Sequence, residues 1–398
     1  MASLRLLERL TEFARGRFEI TVVGAEPSPA YNRVLLSALL AGEMDEEACR
    51  FRGADWYAAE GIRLLSGTPA TAVDLERRIV QVGQEAVPFD RLVLATGSLP
   101  VRLPISGMDL PGVVAFRDLG HVEAIRAVSR PGARAVVIGG GLLGLEAAYG
   151  LARIGVATTL LHVMDRLMER QLDARAARLV RAAMERKGVE VVLSASTAEI
   201  VGTDRVRAVR LADGAVLPSD LVVVAVGVRP NADLARAAGL ATNRGVVVDD
   251  MLATSQPGVY AVGECVEHRG QVYGLVEPGY EQADVLARAL VGEAAAYRGS
   301  KLATSLKVSG VPVFSAGDIA DDAEGEPIIL SSPAAGIYRK LVLREERLVG
   351  ALLVGDVAEG RWYRDLIGSG EPVGSFRQQI MFGRACVAPA PEPQRLAA

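Results

Sequence analysis

The stretch from Ala133 to Val163, ARAVVIGGGLLGLEAAYGLARIGVATTLLHV, limits the fold more than any other part of the sequence. Gly139, Gly141 and Gly144 form a GxGxxG directly after the apolar run Ala135 to Ile138 and open a helical stretch containing Leu145, Ala147 and Ala148. The first glycine permits the tight turn. The second lets the backbone reach a pyrophosphate, and the third lets helix and strand pack closely. Leu142 and Leu143 stand at the helix start, where free amides and the positive dipole end favour phosphate. A lone GxGxxG is weak evidence, since a glycine turn can be purely structural. Here strand, motif, helix and second strand follow in order over about thirty residues, which predicts a βαβ unit that binds a dinucleotide.

One such unit fills only part of 398 residues, and at ~150 residues per domain the length predicts two or three domains. With 50% hydrophobic and 23% charged residues, burying large cores is no difficulty. A net charge of −4 leaves no basic footprint for nucleic acid and argues against an anionic membrane as the main partner. The three cysteines, Cys49, Cys265 and Cys386, form no CxxC pair and, with only three histidines, no zinc, haem or iron–sulfur spacing. An odd, sparse cysteine count fits a reducing cytoplasm. The longest apolar runs, such as Leu221 to Val228, fall far short of a ~20-residue span, and the charged start is unlike a signal peptide.

Along the chain, Leu4, Leu7 and Leu10 predict a helix over Ala2 to Gly16, followed by a strand at Phe18 to Val23. A helix at Val34 to Leu40, a strand at Ile62 to Leu65, a hairpin around Val73 to Val82 and a strand at Leu92 to Leu94 come next. After the βαβ unit, Val222 to Val226 reads as a strand and Pro278 to Gly292 as a helix. Beyond Gly299 the pattern shifts to hairpins, with strands at Tyr338 to Leu343 and Leu348 to Val354. The Pro/Ala-rich residues Val387 to Ala398 read as a disordered tail.

Two strand ends carry further signals. Where an NAD site offers Asp or Glu to the ribose, about twenty residues past the glycines, this sequence has His162, with Arg166 just after. A cationic group there would tolerate a 2′-phosphate, so NADH and NADPH both stay open; exposed loop residues are the bland alternative. Glu264 follows the strand Gly258 to Val262, and a carboxylate at a strand end ahead of a helix can accept hydrogen bonds from flavin hydroxyls or act as a plain cap.

The order ATGS (95–98), GGGLLG (139–144), GVRPN (227–231) and YAVGE (260–264) resembles the pyridine nucleotide-disulfide oxidoreductase-like flavoproteins, which include rubredoxin and ferredoxin reductases. PAYNRVLLSALLAGE (29–43), DWYAAEGI (55–62), RLMERQLD (166–173) and GECVEHRGQVYGLV (263–276) are similar to the flavin module of assimilatory NAD(P)H nitrite reductase large subunits. They also resemble the electron-transfer subunits of assimilatory nitrate reductase. The resemblance implies an α/β fold with two Rossmann-like dinucleotide-binding domains (three-layer ββα) and a small α+β C-terminal domain. It assigns residues 1–118 and 245–298 to FAD, 119–244 to NAD(P) and 299–386 to the C-terminal domain. It further implies FAD contacts from Glu26, Arg33, Ala70, Thr96, Gly97, Gly263, Glu264, Glu277 and Gln282. Gly227 would join the NAD(P) set of Gly139, Gly141, Leu142, Leu143, Gly144, His162 and Arg166. No metal site and no particular catalytic side chain is implied, because the cofactors carry the chemistry.

The sequence departs from that family pattern in two places. Met1 to Leu4 matches the tail of a first GxGxxG, with Ser3 for its last glycine, so a strand and two glycines are expected upstream of Met1. The cysteine-rich iron–sulfur and sirohaem regions of nitrite reductases have no counterpart, so electron supply rather than nitrite reduction is expected. The leading expectation is an FAD-dependent NAD(P)H oxidoreductase serving a redox-protein acceptor, either a nitrite or nitrate reductase subunit or a ferredoxin or rubredoxin; it allows a homodimer. A thiol/disulfide reductase would need a reactive cysteine where Ser37 stands. An NADH oxidase-like enzyme and a non-catalytic nucleotide-binding or redox-sensing protein are the remaining classes.

Overall fold

The computed structural model describes residues 1–300, 303–308, 310–320 and 323–387, with 303–308 described as backbone. The tail expected after Val387 lies outside the described residues. The chain divides into two compact units. One comprises Met1–Leu103, Ala115–Ala127 and Val226–Ser300, and the other Pro104–Val114, Val128–Ala225 and the described residues beyond Ser300.

In the first unit the parallel strands form two pairs. Ile20–Gly24 runs beside Ile62–Ser66, and Leu92–Leu94 beside Val259–Ala261. The helix Ala2–Ala14 covers both. Its Leu6 and Leu10 share a core with Leu94, Val259 and Ala261, while Leu4 and Leu7 pack with Tyr57 and Ile62, and Ile20 touches both clusters. Ala283, Leu286 and Leu290 of the helix Val276–Val291 enter the first of these cores. Arg5 and Arg9 reach Asp284 at 2.8 and 2.9 Å. The stretch expected as a helix from Val34 divides into a 3₁₀ turn, Arg33–Leu35, and a short helix, Leu36–Leu40. The Asn32 side chain starts the turn by accepting from the Val34 N–H at 3.1 Å. Glu264 was expected ahead of a helix. Instead the strands Val266–His268 and Gln271–Val272 intervene, because Arg269 and Gly270 both take positive φ and reverse the chain into a hairpin.

The second unit is built on a five-stranded sheet in the order Val189–Val192, Ala157–Leu161, Arg134–Ile138, Leu221–Val224, Val113–Ala115. The first four strands are mutually parallel, and in chain order they run 3-2-1-4. That is the doubly wound order, which places a ligand crevice at the carboxyl ends of strands one and four. Both of those strands are almost wholly buried and read as unbroken apolar runs, VVI and LVVV. A three-stranded antiparallel sheet, Thr197–Gly202, Val206–Leu211 and Val216–Pro218, forms a second layer. The C-terminal part is a five-stranded antiparallel sheet, Ala303–Val308, Val311–Gly317, Arg347–Val354, Ile337–Arg344 and Glu326–Ser332 in spatial order. Its core joins Leu341, Leu353 and Phe314 to Tyr363 and Leu366 of the helix Gly360–Ser369.

Candidate functional site

In the second unit the glycine loop leaves the strand Arg134–Ile138 and opens the helix Leu142–Arg153 at the sheet's switch point. Gly139 turns the chain with φ +121°, a conformation that a side chain disfavours. Gly144 is a packing glycine: an added Cβ would fall 1.8 Å from the Gly139 carbonyl oxygen. Gly141 differs. Its φ of −79° suits any residue, and an added Cβ would have nothing within 4 Å. No side chain caps this helix, so the amides of Leu142, Leu143 and Gly144 stay free for a ligand. A glycine that the protein does not itself require, at an uncapped helix start, fits the close approach of a pyrophosphate.

His162 ends the neighbouring strand and is buried against Gly140, where an added Cβ would meet the ring at 2.6 Å. Its Nδ1 accepts from the Gly140 N–H at 3.0 Å, and its Nε2 lies 3.1 Å from Glu169 Oε2. An amide donor at Nδ1 puts the ring proton on Nε2, so the imidazole is neutral and both nitrogens are engaged. Arg166 lies 3.9 Å from Asp165. Glu146, two residues beyond Gly144, is partly buried, and burial pushes its carboxyl up to about 7.

In the first unit charged groups converge on the start of the helix Ala2–Ala14, which also has no side-chain cap. Burial and then the Arg33 charge push the amine of Met1 down to about 6, with Glu26, Glu264 and Arg117 acting on it as well. Arg33 pairs with Glu26 and donates to the Arg117 carbonyl at 3.0 Å. Its guanidinium lies 4.9 Å from the centre of the Tyr31 ring. The Tyr31 hydroxyl donates to Glu26 at 2.5 Å, and burial pushes its pKa up. Glu264 pairs with Arg117 and accepts from the Ser98 hydroxyl at 2.8 Å. Gln282 Oε1 accepts from the Gly263 N–H at 2.7 Å, and an added Cβ on Gly263 would meet the Ala2 Cβ at 3.1 Å. The Thr96 hydroxyl donates to the Asn231 carbonyl at 2.6 Å, and the Asn231 N–H to the Gly97 carbonyl at 2.8 Å. Two arginines near the first turn of the helix Ala2–Ala14, flanked by carboxylates that accept from hydroxyls, fit the phosphates and polyol of FAD.

Of the remaining FAD candidates, Ala70 lies in the antiparallel strand Ala70–Asp74, and Glu277 is exposed in the first turn of Val276–Val291. Gly227 belongs to the first unit, where its carbonyl accepts from the Val101 N–H at 3.0 Å. Sequence reasoning passed over Tyr31, Ser98, Arg117, Gly140 and Glu169. The one available signal was a glycine at a variable motif position, Gly140, opposite a histidine at the strand end. Cys49, Cys265 and Cys386 are free, and burial pushes the Cys49 and Cys265 thiols up, away from reactivity. Among the described residues no group of His, Cys, Asp or Glu is arranged to hold a metal, and no helix is long and apolar enough to cross a membrane.

A glycine loop at the switch point of a doubly wound sheet defines an α/β dinucleotide-binding protein. The chain belongs to the pyridine nucleotide-disulphide oxidoreductases, whose family profile matches residues 1–289; residues 303–371 match the rubredoxin NAD⁺ reductase C-terminal domain. Membership carries the FAD and NAD(P)H chemistry of that family. Over 362 residues the chain is 48% identical to the nitrite reductase [NAD(P)H] of Bacillus subtilis, covering 90% of this chain and 45% of that protein. It is 38% identical to the assimilatory nitrate reductase electron transfer subunit of the same organism, covering 96% of this chain and 50% of that one. The chain thus spans about half the length of these curated relatives. A solved putidaredoxin reductase–putidaredoxin complex matches with a TM-score of 0.83 and 29% identity, over 93% of this chain and 91% of that one.

Proposed function

We propose that this chain is an FAD-dependent NAD(P)H oxidoreductase that passes electrons to a redox-protein acceptor in nitrite or nitrate assimilation. The observation that carries the proposal is Gly141, a glycine with ordinary backbone angles and open space, at an uncapped helix start on the sheet's switch point. The names of the two Bacillus relatives support the destination of the electrons. We assign FAD to residues 1–118 and 245–298, the pyridine nucleotide to 119–244, of which 119–127 and 226–244 pack in the first unit with the FAD-side residues, and a cytoplasmic location, which the three free cysteines support.

When bound, FAD supplies hydride uptake from the nicotinamide and release of electrons to the acceptor. The chain's own residues bind and orient. Arg33 and Arg117 bring positive charge to the FAD phosphates, while Glu26 and Glu264 accept from ribose and ribityl hydroxyls. Gln282 holds the Gly263 turn beside Glu264, and Asn231 anchors Thr96 and Gly97. The amides of Leu142, Leu143 and Gly144 receive the pyrophosphate of NAD(P)H. Orientation is the contribution to the redox step, and no side chain is assigned an acid or base role.

The test is a titration of the purified chain with FAD, followed by anaerobic mixing with NADH or NADPH and by acceptors in turn: a nitrite or nitrate reductase partner, ferredoxin, rubredoxin and dioxygen. Expected are FAD uptake, rapid bleaching of the flavin band, and reoxidation fastest by the nitrite or nitrate reductase partner. Arg33→Ala should weaken FAD binding by about 10- to 150-fold, as losing a charged hydrogen bond costs ~1.5–3 kcal/mol. A chain that takes up no FAD overturns the proposal, and reoxidation fastest by dioxygen would make it an oxidase.

A further inference from the structure

We propose that Glu169, positioned by His162, is the carboxylate that recognises the adenosine ribose of the pyridine nucleotide, and that the site therefore selects NADH over NADPH. The proposal rests on the dinucleotide reading of the glycine loop and adds a residue to that same site. His162 occupies the strand-end position from which a carboxylate would normally reach the ribose, yet its ring has no nitrogen to offer. Nδ1 is held by the Gly140 N–H at 3.0 Å and Nε2 faces Glu169 at 3.1 Å. The ring is neutral in this arrangement and brings no positive charge to a 2′-phosphate.

Glu169 reaches this place through a backbone device. Met168 adopts φ +50°, in the left-handed region, with its side chain buried. Its N–H donates to the Gly140 carbonyl at 3.0 Å, while the Gln171 and Leu172 N–H groups return to the Met168 carbonyl at 2.8 and 2.9 Å. Gly140 is thus gripped on both sides, its N–H by His162 and its C=O by Met168. The residue after Met168 is thereby fixed beside the strand end. The Glu169 side chain remains 29% exposed, so a ligand can reach it. One imidazole N–H leaves a carboxylate most of its acceptor capacity, enough for two ribose hydroxyls. A 2′-phosphate carries about −1.5 to −2 charges and would be repelled by the same group. Two cations close in sequence could favour the phosphate: Arg166, whose Nη1 lies 3.9 Å from Asp165, and the exposed Arg170, next to Glu169.

The test titrates the chain, in excess FAD so that the first unit is filled, with ADP-ribose and with 2′-phospho-ADP-ribose by calorimetry, and compares kcat/KM for NADH and NADPH. Native protein should bind ADP-ribose at least ~10-fold more tightly, and Glu169→Gln should narrow that ratio at an unchanged melting temperature. Arg166→Ala and Arg170→Ala should each leave the ratio in place. Equal or tighter binding of the phosphorylated ligand, or an unchanged ratio in Glu169→Gln, overturns this proposal while leaving the glycine loop a dinucleotide site. Absence of binding by either ligand overturns both.

Discussion

Glu146 stands on the helix that the glycine loop opens, and its carboxyl, pushed up to about 7 by burial, makes stability depend on pH. The folded state holds this proton more tightly than the unfolded chain does. The stability it contributes is therefore complete below the ordinary value of 4.5 and is lost as pH rises through about 7. Glu146→Gln should melt higher than native protein at about pH 8, by at most ~3 kcal/mol at ~1.4 kcal/mol per pKa unit, and the two curves should meet below about pH 4. A difference that does not change with pH would remove ionisation as its cause. His162 makes the opposite point at the same scale. Its type and position suggested a cation for phosphate, but hydrogen bonding from Gly140 leaves the ring neutral. A side chain's protonation depends on its partners, and those partners are not adjacent in sequence.

At the scale of elements, the glycine loop separates two reasons for glycine that look identical in sequence. Gly144→Ala places a methyl 1.8 Å from a backbone oxygen, so helix and strand must move apart. We expect a loss on the order of 1–3 kcal/mol, the usual cost of overpacking, together with weaker ADP-ribose binding. Gly141→Ala meets nothing and needs no unusual φ. It should melt like native protein while still losing at least ~10-fold in ADP-ribose affinity. Calorimetry beside thermal melts checks both, and a Gly141→Ala protein that binds normally would show that the loop holds its ligand some other way. The strand, motif and helix were legible because period and turn chemistry are local. The hairpin after Glu264 was not, because three buried residues, Val266–His268, are too few to display a period.

At the scale of the whole molecule, Asp173 ties the C-terminal sheet to the dinucleotide-binding part of the second unit. One oxygen caps the helix Ala174–Arg186 by accepting from the Ala176 N–H at 2.8 Å. The other accepts from the Tyr338 hydroxyl at 2.5 Å and lies 3.7 Å from Lys340 Nζ, and all three side chains are buried. Asp173→Ala removes a helix cap, the Tyr338 acceptor and a buried charge beside Lys340 at once and should cost ~2–4 kcal/mol, whereas Tyr338→Phe removes one hydrogen bond and should cost ~1–2 kcal/mol. Urea unfolding followed through Trp362, which packs on the C-terminal core, reads this unit directly. Equal and small losses in both variants would refute the keystone role. The sequence by itself determined the α/β class, the glycine loop, most helices and strands, and the net charge, because each follows from local periodicity, turn chemistry or composition. Only the tertiary structure decided which groups meet: Glu26 with Arg33, Glu264 with Arg117, Glu169 with His162, and Asp173 with Tyr338. Two of these pairs, Glu26–Arg33 and His162–Glu169, lie seven residues apart, but Glu264–Arg117 and Asp173–Tyr338 join positions 147 and 165 residues apart. Even the near pairs depend on turns whose shape is set by contacts from other strands. Burial and distance are properties of the packed chain, and they turn residue types into neutral, paired or ligand-ready groups.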